Sequence, residues 1–235
     1  MKSLQKQLDR AQFGGKPVAL QTIERLSTYR RVLEDLHGKG IQYVYSHQLA
    51  EYVDVTPAQL RRDLSAFGSF GNISRGYNVQ RLITTLSELL GTSKIQPVAL
   101  VGVGNLGRTL LSYKGFEERG FSLKVVFDND PAKIGRVIAG RRCFDIREAE
   151  TVLRDQPVEI AILACRPQGI QGVVDRLAAA GVKSILSFVP AIIDVPPGMH
   201  IEMEDISAKL EKLSFLAKNR PAKPDYDYEK ERTTM

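Results

Sequence analysis

The chain has 235 residues, a length that suits one large domain or two of modest size. Its composition is 43% hydrophobic and 26% charged, which is ordinary for a globular protein. No apolar run approaches the ~18 residues of a membrane span, and the first residues lack the apolar stretch of a secretory signal, so we expect a cytoplasmic protein without membrane association.

The formal net charge of +6 is concentrated near the N-terminus. Residues 1–91 carry 12 Lys and Arg against 8 Asp and Glu, whereas the remaining 144 residues carry 21 against 19. A polyanionic partner would therefore dock on the N-terminal part of the chain.

The cysteines and histidines offer no metal or redox site. Cys143 and Cys165 are far apart in strand-like apolar surroundings and are expected to be buried structural thiols. The three histidines lack the spacing of metal ligands, so we expect no bound metal.

The chain begins with a polar, aperiodic stretch over residues 1–16, which predicts disorder. A first helix is predicted from Pro17, a residue suited to a first helical turn, because apolar residues then recur at helical spacing as far as Leu36. Residues 38–40, Gly-Lys-Gly, end this helix.

Two shorter helices follow. Ser46 is expected to cap a helix over residues 47–53, and Thr56-Pro57 has the pattern of an N-cap followed by proline at the first helical position. The third helix is expected to end at Gly68. Two short helices joined by a tight turn predict a helix-turn-helix.

Residues 68–79 alternate glycines with aromatic and apolar residues, which predicts a small β-hairpin. An amphipathic helix over residues 79–90 closes the unit, and residues 91–94 are expected to be a linker. We therefore predict an N-terminal winged helix-turn-helix domain over residues 17–91.

The second helix of such a motif enters the major groove of DNA. Gln59 and Arg62 are long donors that are expected to read base edges, whereas Arg61 and Ser65 are expected to contact phosphates. Arg75, near the hairpin tip, suits a DNA backbone or a minor groove. An isolated Arg-Arg pair is usually a pair of solvated surface charges. For Arg61 and Arg62, the adjoining hairpin and the local excess of basic residues favour contact with DNA. The expected DNA-contacting residues, with both helix caps, are Ser46, Thr56, Gln59, Arg61, Arg62, Ser65 and Arg75.

From residue 97 the pattern becomes β-α-β. Apolar strands are predicted over residues 98–103, 123–127, 159–165 and 184–189, with helices between them, which favours a doubly wound parallel sheet of the Rossmann type over residues 95–203. A final amphipathic helix is predicted within residues 204–218, with Ile206, Leu210, Leu213 and either Leu216 or Ala217 on one side. The charged tail over residues 219–235 is expected to be disordered.

The first strand of this sheet runs directly into Gly-Val-Gly-Asn-Leu-Gly at residues 102–107, which opens a helix. This context favours a dinucleotide site: Gly102 permits the tight turn, Gly104 lets a pyrophosphate approach, and Gly107 lets the helix pack. The helix N-terminus supplies an anion site. The residues expected to bind the cofactor from this loop are Gly102, Val103, Gly104, Asn105, Leu106 and Gly107.

An acidic residue is expected to bind the adenosine ribose. Asp128 ends the second strand, 21 residues after Gly107, and Asp130 is the alternative. An acid at this position favours NAD(H) over NADP(H), because it would repel a 2′-phosphate. Lys133 and Arg136 follow closely and leave the preference open.

A winged helix joined to an NAD-type Rossmann unit and followed by one long helix resembles the Rex family of redox-sensing transcriptional repressors. The resemblance covers about residues 17–217, although Arg62 and Ala66 replace a lysine and a tyrosine that are usual in the family. It is carried in order by residues 61–65, 67–68, 75–77, 101–107, 127–131, 133–135, Asp205 and 213–215.

The resemblance implies a homodimer that binds palindromic operator DNA and leaves it when NADH rises relative to NAD⁺. It also implies that the C-terminal helix is swapped between subunits. By motif, Arg31, Tyr113 and Asp205 match family residues that couple the nicotinamide end to the DNA-binding domains, so Tyr113 and Asp205 join the expected cofactor-binding residues.

Two other functions fit the sequence less well. An NAD-dependent reductase would need a positioned acid or base, and the only histidine in the Rossmann half, His200, lies far from the glycine loop in sequence. A CoA- or nucleotide-binding interaction module is the other alternative, against which Asp128 favours a ligand with free ribose hydroxyls.

Overall fold

The computed structural model describes residues 10–68, 70–72 and 76–219. These divide into two compact units. The first contains the described residues up to Gln96 together with Lys114–Ser122, and the second contains Pro97–Tyr113 and the described residues from Leu123 onward.

The first unit opens with an antiparallel hairpin, β1 (Arg10–Phe13) and β2 (Lys16–Ala19). The expectation of disorder is therefore wrong for residues 10–16, and helix α1 covers Leu20–Gly38 instead of beginning at Pro17. The tight turn is possible because both of its glycines, residues 14 and 15, adopt a positive φ. Pro17 lies in the strand opposite Gln12, and the neighbouring Val18 is buried.

The rest of the first unit confirms the predicted winged-helix pattern. Its remaining elements are β3 (Tyr43–Val44), α2 (Ser46–Tyr52), α3 (Pro57–Ser65), β4 (Gly71–Asn72), β5 (Gly76–Asn78) and α4 (Val79–Leu89). The three strands form an antiparallel sheet in the order β3-β5-β4. The helices enclose an apolar core that includes Leu26, Tyr29, Leu33, Leu60 and Leu82.

The caps of the two short helices differ from each other. Thr56 caps α3 as predicted, because its Oγ1 accepts a hydrogen bond of 3.1 Å from the Gln59 backbone N–H. Ser46 does not cap α2: the N-cap is Tyr45, whose N–H donates to Gln48 Oε1 at 2.9 Å. Ser46 is instead the first residue of α2, and its hydroxyl accepts a hydrogen bond from Arg61.

The second unit is built around a seven-stranded sheet. Its elements are β6 (Gln96–Val101), α5 (Asn105–Ser112), α6 (Gly115–Glu118), β7 (Phe121–Asp128), β8 (Val137–Ile138), β9 (Arg141–Asp145), α7 (Ala149–Asp155), β10 (Ile160–Leu163), α8 (Ile170–Ala179), β11 (Ser184–Ser187), β12 (His200–Met203) and α9 (Ile206–Lys218). The short helix α6, the first residue of β6 and the first two residues of β7 belong to the first unit. A short 3₁₀ turn covers Ile146–Glu148.

The strand order is β12-β11-β10-β6-β7-β9-β8. Strands β6, β10, β11 and β12 pair in parallel, as do β7 and β9, whereas the edge strand β8 is antiparallel. The predicted doubly wound sheet is confirmed, with β8, β9 and β12 added to it. The chain leaves β6 toward β7 and later returns to β10 on the other side of β6. A topological switch point therefore lies between β6 and β10, where such sheets bind ligands.

The short segment Lys114–Ser122 packs with the first unit, although the sequence places it within the predicted Rossmann domain. Arg119 Nη1 donates to Glu34 Oε2 of α1 at 3.0 Å, and the Gln96 N–H donates to the Gly120 carbonyl at 2.7 Å. These contacts join positions far apart in sequence, which local patterns do not indicate.

Helix α9 exposes its apolar side chains. Asp205 caps it by accepting a hydrogen bond of 3.0 Å from the Ala208 N–H, and none of its residues is buried within the chain. The predicted apolar stripe is present, with exposed fractions of 49–61% for Ile206, Leu210, Leu213 and Leu216. The predicted disorder of the tail lies outside the described residues from 220 onward, as it does for residues 1–9.

Candidate functional site

Helix α3 presents a basic surface because its apolar residues face inward. Leu60 and Leu64 are buried, whereas Arg61, Arg62 and Ser65 are exposed. Arg61 Nη1 donates to the Ser46 hydroxyl at 3.0 Å, which places a cation beside the start of α2. The structure thus brings together Arg61 and Ser46, two of the predicted DNA-contacting residues.

A buried acid lies on the opposite face of α3. Asp63 is 4% exposed and accepts hydrogen bonds from Arg25 Nε at 2.6 Å, Arg25 Nη2 at 2.8 Å and the Tyr29 hydroxyl at 2.7 Å. Burial alone would raise the pKa of Asp63, but the hydrogen bonds from Arg25, Tyr29 and Gln59 outweigh it and hold that pKa below its usual range. Asp63 therefore anchors α3 to α1 as a carboxylate.

The two predicted base readers are connected to each other. Gln59 Nε2 donates to Asp63 Oδ1 at 2.8 Å, and Arg62 Nη2 donates to Gln59 Oε1 at 2.9 Å. Gln59 is half-buried and engaged at both ends of its amide, and its predicted contact with a base edge stays a prediction. Arg75, the predicted contact at the hairpin tip, lies outside the described residues.

In the second unit, the glycine motif forms a tight loop after β6. Gly102 has φ +97°, and an added Cβ there would lie 2.7 Å from the backbone of Ala164. At Gly107 an added Cβ would lie 2.0 Å from the Gly102 carbonyl oxygen. At Gly104, the N-cap of α5, an added Cβ would meet nothing within 4 Å. Two glycines permit the backbone packing, and the third leaves open space at a helix N-terminus.

Asp128 supports this loop from the end of β7. Its Oδ2 accepts from the Val103 N–H at 2.7 Å, and its Oδ1 accepts from the N–H groups of Asn129 and Asp130. Lys133 Nζ lies 3.0 Å from Oδ2. Burial would raise the pKa of Asp128, but these bonds outweigh it and lower the pKa.

This geometry bears on the choice between the two predicted ribose acids, Asp128 and Asp130. Asp128 is 5% exposed and its carboxylate already accepts four hydrogen bonds, so it shapes the loop and does not present a free carboxylate. Asp130, the alternative, is more accessible, with 43% of its side chain exposed. Lys133 also lies 3.5 Å from Asp130, so a cation adjoins both acids.

A cleft of about 770 Å³ opens at the switch point between β6 and β10. The loops after β6, β7, β10 and β11 contribute most of its wall. Its lining residues are Val101, Gly102, Gly104, Asn105, Leu106, Asp128, Asn129, Asp130, Lys133, Ile146, Ala164, Cys165, Arg166, Gln168, Val173 and Phe188. The size suits a dinucleotide, and the open position at Gly104 is where a pyrophosphate would need room, so the residues present fit one.

Several lining residues were not predicted. Ile146, Arg166, Gln168 and Phe188 follow β9, β10 and β11, and the rule that ligands bind at the carboxyl ends of parallel strands would have found most of them. Asp63 also had a detectable signal, since an acid between Leu60 and Leu64 shares the buried face of an amphipathic helix.

The two cysteines differ from each other. Cys143 is buried as predicted, and burial raises its pKa to about 11. Cys165 is only partly buried and lines the cleft, although burial raises its pKa too. Among the described residues, no cluster of three or more His, Cys, Asp or Glu side chains is placed to hold a metal ion, and none of the helices combines the length and apolar character that a membrane span requires.

The three predicted coupling residues are distributed over both units. Arg31 lies on the exposed side of α1 and donates to the Thr28 hydroxyl at 3.2 Å. Tyr113 directly follows α5 and is 60% exposed, and Asp205 caps α9. Their roles in coupling, like the roles of the other predicted site residues, are taken up as proposals.

Two family models match parts of the chain. Residues 17–65 match a model described as "Putative DNA-binding protein N-terminus", and residues 93–191 match one described as "CoA binding domain". The first match covers α1 to α3, and the second covers most of the sheet and the cleft.

Curated relatives match nearly the whole chain. The redox-sensing transcriptional repressor Rex of Desulfitobacterium hafniense is 42% identical over 201 residues, which are 86% of this chain and 96% of the relative. Rex of Carboxydothermus hydrogenoformans is 44% identical over 83% of this chain and 93% of its own length.

The chain belongs to the Rex family of redox-sensing transcriptional repressors. Solved Rex-family structures agree: RSP in complex with β-NAD⁺ and operator DNA has a TM-score of 0.81 at 34% identity, covering 86% of this chain and 93% of RSP. RSP in complex with β-NADH has a TM-score of 0.75 at 33% identity, covering 86% and 94%. The resemblance to the Rex family in the sequence is thereby confirmed.

Proposed function

We propose that this chain is a cytoplasmic redox sensor that represses transcription. It binds palindromic operator DNA as a homodimer and is released when NADH rises relative to NAD⁺. The observation that carries the proposal is that a recognition helix and a dinucleotide cleft occur in one chain that matches, over 86% of its length, a repressor solved with both β-NAD⁺ and operator DNA.

The cleft residues suit a dinucleotide in distinct ways. Gly102 and Gly107 close the loop, Gly104 leaves room for the pyrophosphate, and the N-terminus of α5 favours its negative charge. Asp128 holds the loop through Val103. Asp130 is our candidate for the ribose hydroxyls, and its charge would disfavour the 2′-phosphate of NADP(H).

On the DNA side, α3 supplies cations of two kinds. Arg61, held at the start of α2 by Ser46, suits phosphate contact, which strengthens binding to every sequence. Arg62 suits a bidentate contact with guanine, which discriminates between sequences. Thr56 and Ser65 lie at the two ends of α3, where hydroxyls reach phosphates.

The proposed switch between DNA binding and release depends on the charge of the nicotinamide ring. NAD⁺ carries a positive nicotinamide ring that NADH lacks, and a ligand shifts an equilibrium only by its differential affinity for two states. We assign the sensing carboxylate to Asp205, supplied across the dimer by the swapped C-terminal helix, with Tyr113 as its hydrogen-bonding partner. When the ring becomes neutral, Asp205 would pair with Arg31 instead, which would displace the DNA-binding units.

CoA is a second candidate ligand for the cleft, because residues 93–191 match the family model described as "CoA binding domain". The discriminating experiment titrates the purified protein, bound to a palindrome that it selects from random duplexes, with NADH, NAD⁺ and CoA separately. We expect release by NADH, retention with NAD⁺ and no response to CoA. Release by CoA alone would overturn the proposal, and so would the absence of sequence-specific DNA binding.

A further inference from the structure

We propose that Gln59 is a positioning residue that holds the Arg62 guanidinium for base reading, with its amide oriented by the buried Asp63. The inference rests on the proposed function and adds to it a determinant of sequence specificity that does not itself read a base. The proposal rests on the hydrogen bonds that join three residues of α3: Asp63, Gln59 and Arg62.

The orientation of the Gln59 amide is determined by its two neighbours. Asp63 is a carboxylate that only accepts hydrogen bonds, so the Gln59 nitrogen must face it, at 2.8 Å. Arg62 carries a guanidinium that only donates, so the Gln59 oxygen must face it, at 2.9 Å. Both neighbours require the same orientation, and a flipped amide would lose both bonds.

Asp63 is itself fixed by the core of the first unit. Arg25 and Tyr29, on α1, donate three hydrogen bonds to its carboxylate from 38 and 34 positions away in sequence. A continuous series of hydrogen bonds therefore leads from a fully buried tyrosine, through Asp63 and Gln59, to an exposed arginine. Each step is at most 2.9 Å long.

This series affects DNA reading through conformational entropy. An unrestrained arginine side chain loses rotamer freedom when it binds a base edge, and that loss weakens binding. An Arg62 already held by Gln59 loses less, and its guanidinium stays in a defined direction. This smaller entropy loss strengthens binding only where the base pair offers acceptors in the direction of the guanidinium. Gln59 therefore contributes to discrimination at the base pair that Arg62 reads.

The test compares Gln59→Leu, Arg62→Ala and the double variant with the parent, and uses Gln21→Leu, the same change at an exposed position of α1, as the control. Dissociation constants are measured for the selected palindrome and for duplexes with each half-site base pair replaced in turn. We expect Gln59→Leu to lower discrimination about 2- to 12-fold, the effect of one net hydrogen bond, at the same base pair that Arg62→Ala affects. The double variant should discriminate no less than Arg62→Ala alone.

A second variant tests the part played by Asp63. Gln59→Glu retains an acceptor for Arg62 but places a carboxylate against Asp63, so it should also lose discrimination at that base pair. If Gln59→Glu discriminates as well as the parent, the orienting role of Asp63 is wrong.

Other outcomes identify which idea fails. A loss at a different base pair, additive with Arg62→Ala, would mean that Gln59 reads a base itself. Equal weakening on every duplex together with a lower unfolding midpoint would mean that Gln59 is only structural. Either result overturns the inference while the proposed function stands. A parent protein without any sequence preference would overturn the proposed function, and the inference with it.

Discussion

The Asp128 carboxylate accepts a hydrogen bond of 2.7 Å from the backbone N–H of Val103, which lies 25 residues earlier in the chain. Val103 is the second residue of the glycine motif, so an acid at the end of β7 fixes the loop that follows β6. Lys133, 3.0 Å from the same oxygen, balances the buried charge.

We therefore expect Asp128→Asn to weaken both folding and nucleotide binding. An amide retains one acceptor oxygen but turns an NH₂ group toward a donor, so the free energy of unfolding should fall by ~1–3 kcal/mol. Binding of NADH should weaken because the loop loses its support. Chemical denaturation and fluorescence titration with NADH measure the two effects.

Asp130→Asn is the matched control for that experiment. Asp130 is more exposed, and the Ala132 N–H, which donates to Asp130 Oδ1 at 2.9 Å, can donate to an asparagine oxygen in the same place. Stability should change little, while affinity for NADPH should rise relative to NADH. If Asp130→Asn leaves the ratio of the two affinities unchanged and Asp128→Asn alters it, the ribose assignment is reversed.

The pH dependence of stability should reflect Asp63 and Asp128. The pKa of each is lowered in the folded chain, so each stabilises the fold fully above its unfolded pKa of about 4 and loses that contribution as the pH falls through the lower, folded pKa. Tyr29→Phe removes one hydrogen bond that lowers the pKa of Asp63. The free energy of unfolding, measured from pH 6 to pH 3, should fall less steeply for this variant than for the parent.

The control for this comparison is Tyr43→Phe, the same change at a tyrosine that is exposed, which should retain the slope of the parent. A Tyr29→Phe slope equal to that of the parent would show that the hydroxyl does not stabilise the Asp63 carboxylate.

The exposed stripe of α9 should be buried between subunits. Leu213 is 58% exposed in the single chain, and a row of such residues is unusual on a surface that stays in water. Leu213→Glu should convert the dimer to a monomer or an aggregate, and it should weaken binding to the palindrome. Sedimentation velocity measures the change in mass.

Lys212→Glu introduces the same acid on the neighbouring position and should remain dimeric. The swapped-helix hypothesis fails if Leu213→Glu is a stable dimer at the same concentrations, or if a chain truncated before Asp205 is one.

The charge of Asp205 should matter to the switch, separately from its role as a helix cap. Asp205→Asn keeps an oxygen for the Ala208 N–H, bonded at 3.0 Å, but removes the charge that would distinguish NAD⁺ from NADH. We expect a folded dimer that binds NADH but whose affinity for DNA responds much less to the NADH/NAD⁺ ratio. If NADH releases this variant from DNA at the same concentration as the parent, the switch role of Asp205 is wrong and its role is to cap α9.

The sequence by itself determined the features that depend on neighbouring residues. The glycine motif after an apolar strand, the Thr56-Pro57 start of α3 and the apolar stripe of α9 were all predicted, because turn chemistry, capping and helical periodicity act over a few residues. Those local patterns, taken in order, were also sufficient to indicate the Rex family.

The tertiary structure decided what depends on contacts between distant positions. Asp128 was predicted to bind ribose, and that role stays a prediction; its hydrogen bond with the Val103 N–H, brought to it by the fold, was not predicted. Gln59 was predicted to read bases, but it is held between Arg62 and an Asp63 that α1 fixes from 38 residues away. A hydrogen-bonding group acts on whichever partner the fold places within about 3 Å, and spacing along the sequence does not give that partner.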